Sequence, residues 1–137
     1  MRTETHSPYE VIIIGAGFAG LCMGVKLRDA GQKNFLILEK ADDLGGTWRE
    51  NTYPGAACDI PSALYSYSFA HNSDWKSIWS GQAQILAYQH AVAEQHQLEP
   101  HFRYQQHINA LQFDADQAVW NVTTTAVSYT HLTLPTN

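Results

Sequence analysis

Apolar residues near the start of the chain follow two patterns. The run Val11–Ile14 is entirely β-branched, which is typical of a strand buried on both faces of a parallel sheet. A helical pattern extends from about Gly17 to Ala30 and stops at Gly31. A second apolar run, residues 34–38, follows it. Strand, helix and strand in this order predict a βαβ unit, and therefore an α/β fold.

After the second strand the regular pattern disappears until residue 80. Residues 41–69 are rich in glycine, proline and aromatic side chains without a period, and long loops of this kind are functional or disordered. Their aromatic content argues against disorder. Two interpretations stay open, a segment that lines an aromatic cofactor and a structural Ω-loop. Ser80 is expected to cap a helix that runs to about Gln97, before Pro100.

The last third of the chain predicts a small β-hairpin. Alternation from Phe102 through Ile108 to Phe113 indicates one strand, residues 114–117 indicate a turn, and residues 118–124 indicate the partner strand.

The two ends differ from this middle part. Residues 1–8 are expected to form a flexible arm. Residues 127–137 add no core face and resemble the tails that adapter or vector translation leaves on chimeric predicted proteins. They are expected to be non-native and are excluded from the fold prediction; the alternative is a genuine polar extension.

Composition narrows the functional classes. A chain of 137 residues with 45% hydrophobic content predicts one modest domain, and its net charge of −5 argues against nucleic acid or an anionic membrane as partner. No apolar run reaches the roughly 18 residues of a membrane span, and no secretory signal is visible. Cys22 and Cys58 are expected to be reduced thiols in a cytoplasmic protein, the alternative being a disulfide between them.

The residues best suited to bind a ligand lie near the point where the first strand is followed by the helix. Gly15, Gly17 and Gly20 form a GxGxxG pattern, in which the glycines allow a tight turn, a close approach to a pyrophosphate and close helix–strand packing. Glu39 ends the second apolar run, 19 positions after Gly20, where a carboxylate can accept both hydroxyls of a ribose. This combination predicts a dinucleotide site rather than a βαβ unit that binds nothing. An acid here suits a free 2′-hydroxyl and argues against a 2′-phosphate.

Other chemistries find little support in the sequence. The histidines at 90, 96, 101 and 107 lack a tight ligand spacing, so no metal site is predicted. Ser66 and Ser68 lack the nucleophile elbow of a hydrolase.

Several linked motifs together resemble a known family. GAGFAG at 15–20 is followed by Glu39, by GGTW at 45–48, by YPG at 53–55 and by Cys58-Asp59 and YSYSF at 65–69. This order resembles the N-terminal part of Baeyer–Villiger-type flavin monooxygenases and, more distantly, flavin-containing monooxygenases and N-hydroxylating relatives. The resemblance runs from about Tyr9 to Thr124. It implies that residues 9–126 form the N-terminal part of a Rossmann-like FAD-binding domain, incomplete and with a small β-hairpin portion.

The resemblance also implies roles for individual residues. The implied FAD-binding residues are Gly15, Ala16, Gly17, Phe18, Ala19 and Gly20 at the pyrophosphate, Glu39 at the adenosine ribose, Thr47 and Trp48 at the flavin half with Tyr65 nearby, and Ile108 near the adenine, together with Lys40, Gly46 and Asp59. Asp59 resembles the family's aspartate beside the isoalloxazine and the nicotinamide, and is the one candidate catalytic residue.

In this family NADPH reduces the flavin, and reduced flavin captures O₂ as a C4a-peroxide that converts a ketone to an ester or lactone. The resemblance therefore implies FAD, NADPH, O₂ and a small ketone as cofactors and partners. Two alternatives stay open, a fragment of an S- or N-oxygenating flavin-containing monooxygenase and a non-catalytic FAD-binding stub. The sequence shows no second GxGxxG and no F-x-G-x-x-x-H-x-x-x-W fingerprint, so this chain alone is expected to be inactive.

Overall fold

The computed structural model describes residues 9–126 and 131–136, so the arm expected at residues 1–8 lies outside the described residues. In chain order the α-helices and β-strands are β1 (Val11–Ile14), α1 (Phe18–Asp29), β2 (Phe35–Leu38), α2 (Thr47–Glu50), α3 (Gln82–Gln95), β3 (Phe102–Arg103), β4 (Gln106–Asp114), β5 (Val119–Ala126) and β6 (His131–Thr136). They form a parallel sheet in the order β1–β2–β3 and an antiparallel sheet in the order β4–β5–β6.

The parallel sheet is the centre of the fold. Val11 of β1 pairs with Phe35 of β2, and Ile37 of β2 pairs in turn with Phe102 of β3. All of β2 is buried, because α1 and α3 pack on one face of the sheet and Val122 of β5 packs on the other. The predicted βαβ unit and the α/β class are confirmed.

Helix α1 lies within its predicted bounds, with Gly17 as N-cap and Ala30 as C-cap. Leu21 and Val25, one turn apart, are fully buried against the sheet. The apolar stripe of the sequence therefore fixes which face of α1 covers the parallel strands.

The prediction that Ser80 caps α3 is wrong, because the N-cap is Gly81 and no side chain among the described residues caps the helix. Ser80 is 1% exposed, and its backbone N–H donates to Ser62 Oγ at 3.0 Å. Residues 58–62 run beside residues 78–80, with further backbone hydrogen bonds between them. Ser80 therefore joins two loop segments instead of starting a helix.

The single strand expected from Phe102 to Phe113 is in fact two strands in different sheets. β3 continues the parallel sheet, whereas β4 begins the antiparallel one. Between them Gln105 adopts a left-handed φ of 58°, and its N–H donates to Ala41 O at 2.8 Å. This turn breaks a strand that apolar alternation alone predicts to be continuous.

The predicted hairpin of β4 and β5 is confirmed. Its turn is held by Asp114, whose Oδ1 accepts the N–H groups of Asp116 and Gln117 at 3.0 Å each. β6 pairs antiparallel with β5, so residues 131–136 form a strand where the sequence predicts no element. The non-native origin of residues 127–137 stays a prediction, and residues 127–130 lie outside the described residues.

The segment 41–69 is irregular, as expected, except for the single turn of α2. Across residues 9–126 and 131–136, no helix has the length and apolar content needed to cross a bilayer.

Candidate functional site

The glycine-rich loop, residues 15–20, joins the end of β1 to the first turn of α1. Gly15 N–H donates to Leu38 O at 2.8 Å, which ties the loop to β2. A Cβ on Gly20 would lie 1.9 Å from Gly15 O, so only glycine permits this close approach. No side chain in the described part of the chain caps α1. Its first N–H groups and the positive end of its dipole suit a phosphate.

Two further glycines, Gly45 and Gly46, pack against this loop. Gly45 N–H donates to Ala16 O at 2.9 Å, and a Cβ on Gly46 would lie 3.2 Å from Gly17 Cα. Gly46 also has a left-handed φ of 54°. Because the two loops meet backbone to backbone, the second loop adds a wall to the site without filling it with a side chain.

Two cavities meet at the end of β1, and we call them together the trough. Both are lined by Ile14 and Gly15; one, of about 310 Å³, extends to Glu39, and the other, of about 330 Å³, extends to Trp48. The Glu39 end is further lined by Leu38, Glu39, Lys40, Gln106, His107 and Ile108. The Trp48 end is further lined by Gly17, Phe18, Ala19, Gly20, Gly45, Gly46, Thr47, Trp48 and Tyr65.

Most of the residues predicted to bind a cofactor line this trough. The exceptions are Ala16, whose side chain is buried, and Asp59. The structure thus brings together residues from the glycine-rich loop, the end of β2, α2, the irregular segment and β4. Their individual binding roles stay predictions.

Glu39 is a buried carboxylate at the end of β2, 5% exposed. Its Oε2 accepts the N–H of Ala16 at 2.9 Å, and its Oε1 accepts the N–H of Ala41 at 2.9 Å. The Arg49 guanidinium lies 3.6 Å from Oε1. These contacts hold the carboxylate in place, and each oxygen keeps a lone pair that can accept a hydroxyl.

The Trp48 end is held by contacts between side chains. Trp48 Nε1 donates to Tyr65 Oη at 3.0 Å, and Gln82 Nε2 donates to Trp48 O at 2.5 Å. The rings of Phe18 and Tyr65 meet edge to face at 5.1 Å. These contacts fix α2 against α1 and α3.

Buried tyrosines support the same end from behind. Tyr67 Oη donates to Phe18 O in the first turn of α1 at 2.6 Å. The hydroxyl of Tyr88 accepts the N–H of Tyr67 at 2.8 Å and donates to Ala70 O at 2.6 Å. Burial, followed by the charges of Cys22, Tyr88 and Tyr65, raises the pKa of Tyr67 well above its usual value. Tyr67 therefore stays a neutral hydrogen-bond donor over the physiological range.

Asp59 lies outside the lining of the trough, on the exposed side of the irregular segment. Its neighbour Cys58 is buried in the cluster that contains Trp48 and Ile85, so the backbone at Asp59 is anchored beside the Trp48 end. Cys58 and Cys22 are both free. A role for Asp59 stays a prediction.

Several residues of the site were not predicted to bind a cofactor, and three of them show why. Ile14 lines both cavities because it ends β1, and this position was itself a signal, since ligands bind at the carboxyl ends of parallel strands. Gln106 lines the Glu39 end only because Gln105 turns the chain there. Arg49 approaches Glu39 through the fold, with no signal in the sequence.

A separate cavity of about 380 Å³ lies between α3 and residues 70–76. None of the residues predicted to bind a cofactor lines it. Within the described residues, no group of three or more histidine, cysteine, aspartate or glutamate side chains is placed to hold a metal ion.

Comparison with known proteins agrees with this geometry. A family model described as NAD(P)-binding Rossmann-like domain matches residues 13–80. A Baeyer-Villiger monooxygenase of Streptomyces coelicolor is 45% identical over 121 residues, which are 88% of this chain and 23% of that protein. The chain thus spans about a quarter of the length of the curated relatives it matches.

Solved structures of monooxygenases also match this chain. An oxidized steroid monooxygenase bound to NADP superposes with a TM-score of 0.83 at 32% identity, covering 93% of this chain and 25% of that one. OTEMO in complex with FAD and NADP superposes with a TM-score of 0.81 at 27% identity, covering 94% and 25%. The resemblance carried by the motifs is confirmed, and the chain corresponds in sequence and fold to the N-terminal, Rossmann-like portion of a Baeyer–Villiger-type flavin monooxygenase.

Proposed function

We propose that the chain is the FAD-binding portion of an NADPH- and O₂-dependent flavin monooxygenase that oxidises ketones to esters or lactones. The observation that carries this proposal is the trough, in which a hydroxyl-accepting carboxylate and an aromatic-walled space lie on opposite sides of a phosphate-binding loop. A dinucleotide has the same order of parts, a ribose, a pyrophosphate and a second ring system.

The residues present fit FAD. A Cβ on Gly20 would collide with the backbone of the glycine-rich loop. Gly45 and Gly46, which face this loop, keep side chains out of the space at the first turn of α1. Glu39 would accept the adenosine ribose hydroxyls, and Ile108 would contact the adenine. Thr47, Trp48 and Tyr65 would flank the flavin half.

When bound, FAD would supply the redox chemistry that activates O₂, and the protein would supply orientation, electrostatics and exclusion of water. This chain's residues contribute the binding and orienting parts. Glu39 selects a free 2′-hydroxyl, because a 2′-phosphate would bring a second negative charge against a buried carboxylate. We propose that NADPH therefore binds elsewhere in the longer parent protein, and that Asp59 faces the nicotinamide and flavin there.

We also propose that the chain alone does not turn over a ketone, which the absence of a second GxGxxG in its sequence supports. A reducing, cytoplasmic location is supported by the two free cysteines.

Ligand titrations followed by NMR test the site. FAD and ADP are expected to shift the amide signals of residues 15–20, and NADP⁺ is expected to bind more weakly than NAD⁺ at the same site. Tighter binding of NADP⁺ than of NAD⁺ and FAD would contradict the assignment. NADPH-dependent turnover of a simple ketone by this chain, above a no-protein control, would contradict its inactivity.

A further inference from the structure

Arg49 in α2 is the cation that approaches Glu39. Its side chain is 14% exposed, and Nη1 lies 3.6 Å from Glu39 Oε1. Nη1 also donates to Asp43 O at 3.1 Å, and Nη2 donates to Glu50 Oε1 at 2.8 Å. One planar guanidinium thus contacts three acceptors around the Glu39 end of the trough.

Lys40 does not duplicate this arrangement. Its side chain is 65% exposed, and its ammonium lies 3.7 Å from Glu50 Oε1. A flexible, hydrated ammonium of this kind restrains a neighbouring carboxylate weakly. The planar guanidinium of Arg49 has three contacts, which hold it in one orientation.

The position of Glu39 matters because its carboxylate already bonds to backbone on both sides. Oε2 accepts the N–H of Ala16 in the glycine-rich loop, and Oε1 accepts the N–H of Ala41 after β2. Arg49 limits rotation of the carboxylate on the side of Oε1, since the attraction to a nearly buried cation is only partly screened by water. The lone pairs of Glu39 that remain for a ribose hydroxyl therefore point in a fixed direction.

We propose that Arg49 is a positioning residue for ribose recognition, acting through Glu39 and not by contact with the ligand. This inference rests on the proposed function, because it assigns the ribose to Glu39. Arg49 belongs to the same helical turn as Thr47 and Trp48. The same helical turn thus carries two residues of the Trp48 end and the cation beside Glu39.

The test compares Arg49→Met, Arg49→Lys and the control Arg28→Met in the 137-residue chain. Arg28→Met removes the same charge from α1, where its guanidinium contacts Gln97 and His101. Each protein is titrated by NMR with ADP and with 2′,3′-dideoxy-ADP, which lacks the hydroxyls that Glu39 would accept. Amide hydrogen exchange at Ala16 is measured without ligand.

Arg49→Met is expected to weaken ADP binding about fivefold and to leave 2′,3′-dideoxy-ADP binding unchanged. Arg49→Lys is expected to recover part of the ADP affinity, and Arg28→Met to resemble the unsubstituted chain. Exchange at Ala16 is expected to become faster in Arg49→Met, because its acceptor Glu39 is less restrained.

Equal weakening of both ligands would overturn the proposal, since Arg49 would then act on the phosphates directly. If the unsubstituted chain binds no ADP, the proposed function fails for this chain, and exchange at Ala16 still decides the positioning role. Unchanged exchange in Arg49→Met overturns that role. If Arg49→Met does not fold, Arg49→Lys, which keeps the charge and loses the fork, supplies the same two readouts.

Discussion

The two ends of the trough are built from different kinds of structure. The Glu39 end lies where β1 and β2 stop and β4 begins, so the sheet register places its residues. The Trp48 end lies in the irregular segment, where side-chain hydrogen bonds such as that from Trp48 to Tyr65 place them. One end is therefore fixed by backbone, and the other by contacts between side chains.

This difference predicts different responses to substitution. A backbone-fixed end tolerates changes in its side chains until a buried polar group loses its partner, which costs about 1–3 kcal/mol. An end fixed by side chains is expected to lose less per substitution, because each substitution removes a single contact. The glycine-rich loop belongs to both ends, so a change there is expected to have the largest effect.

Gly20→Ala is expected to disrupt both ends at once. The new Cβ would lie 1.9 Å from Gly15 O, a backbone atom, so loop and helix must move apart. Overpacking of this kind typically costs about 1–3 kcal/mol or more. Gly81→Ala is the matched control, because its Cβ would meet Ala56 O at an ordinary 3.7 Å. Thermal unfolding and binding of ADP and FMN are measured; normal binding of both ligands by Gly20→Ala would refute the loop geometry.

Glu39→Ala is expected to damage the Glu39 end alone. It leaves the N–H groups of Ala16 and Ala41 without their acceptor, and each ribose hydrogen bond lost costs about 1.5–3 kcal/mol. Affinity for FAD and ADP should fall, with a smaller loss in Glu39→Asp, whereas affinity for FMN should be retained. In the longer parent, flavin content after purification gives the same comparison. Unchanged FAD occupancy in Glu39→Ala would exclude ribose binding by this residue.

Trp48→Phe is expected to affect the other end by about 1 kcal/mol, the net contribution of one hydrogen bond. It removes the donor to Tyr65 Oη while keeping a ring in place. Affinity for FMN and FAD should fall, and affinity for ADP should not. Tyr65→Phe removes the acceptor and should give a loss of similar size. A fall in ADP affinity instead would mean that the two ends are not independent.

Alkaline pH is expected to weaken the Trp48 end through Tyr67. Because burial raises the pKa of Tyr67 above the usual value of about 10, the folded protein holds this proton more tightly than the unfolded chain does. The stabilisation is complete below pH 10 and is lost as the pH rises further. Tyr67→Phe should be less stable by about 1 kcal/mol at pH 7, since it loses the bond to Phe18 O, yet should lose less stability between pH 7 and 11. An identical pH dependence in both proteins would contradict this.

The difference between the two ends of the trough also explains which site residues could be predicted from the sequence. The Glu39 end followed from local signals, a β-branched strand, three glycines and an acid at a fixed spacing, because the carboxyl ends of parallel strands meet at one edge of a sheet. Thr47, Trp48 and Tyr65 were assigned through the family resemblance, since no periodicity marks them. The positions of Ser80 and Arg49 depend on loops packing against each other, which residue patterns do not encode. The two-residue strand β3 is too short to be detected by alternation.

Asp59→Ala is expected to have the smallest effect on folding and on flavin content. The residue is exposed, and substitutions at such positions usually change stability by less than about 0.5 kcal/mol. Because Cys58 anchors the backbone beside Trp48, the carboxylate can still face the nicotinamide and flavin in the longer parent. We therefore expect Asp59→Ala to bind FAD normally there and to slow flavin reduction by NADPH in stopped-flow measurements, with Asp59→Glu recovering part of the rate. Normal reduction combined with loss of flavin would instead make Asp59 a structural contact of the Trp48 end, fixed by the same side-chain packing as its neighbours.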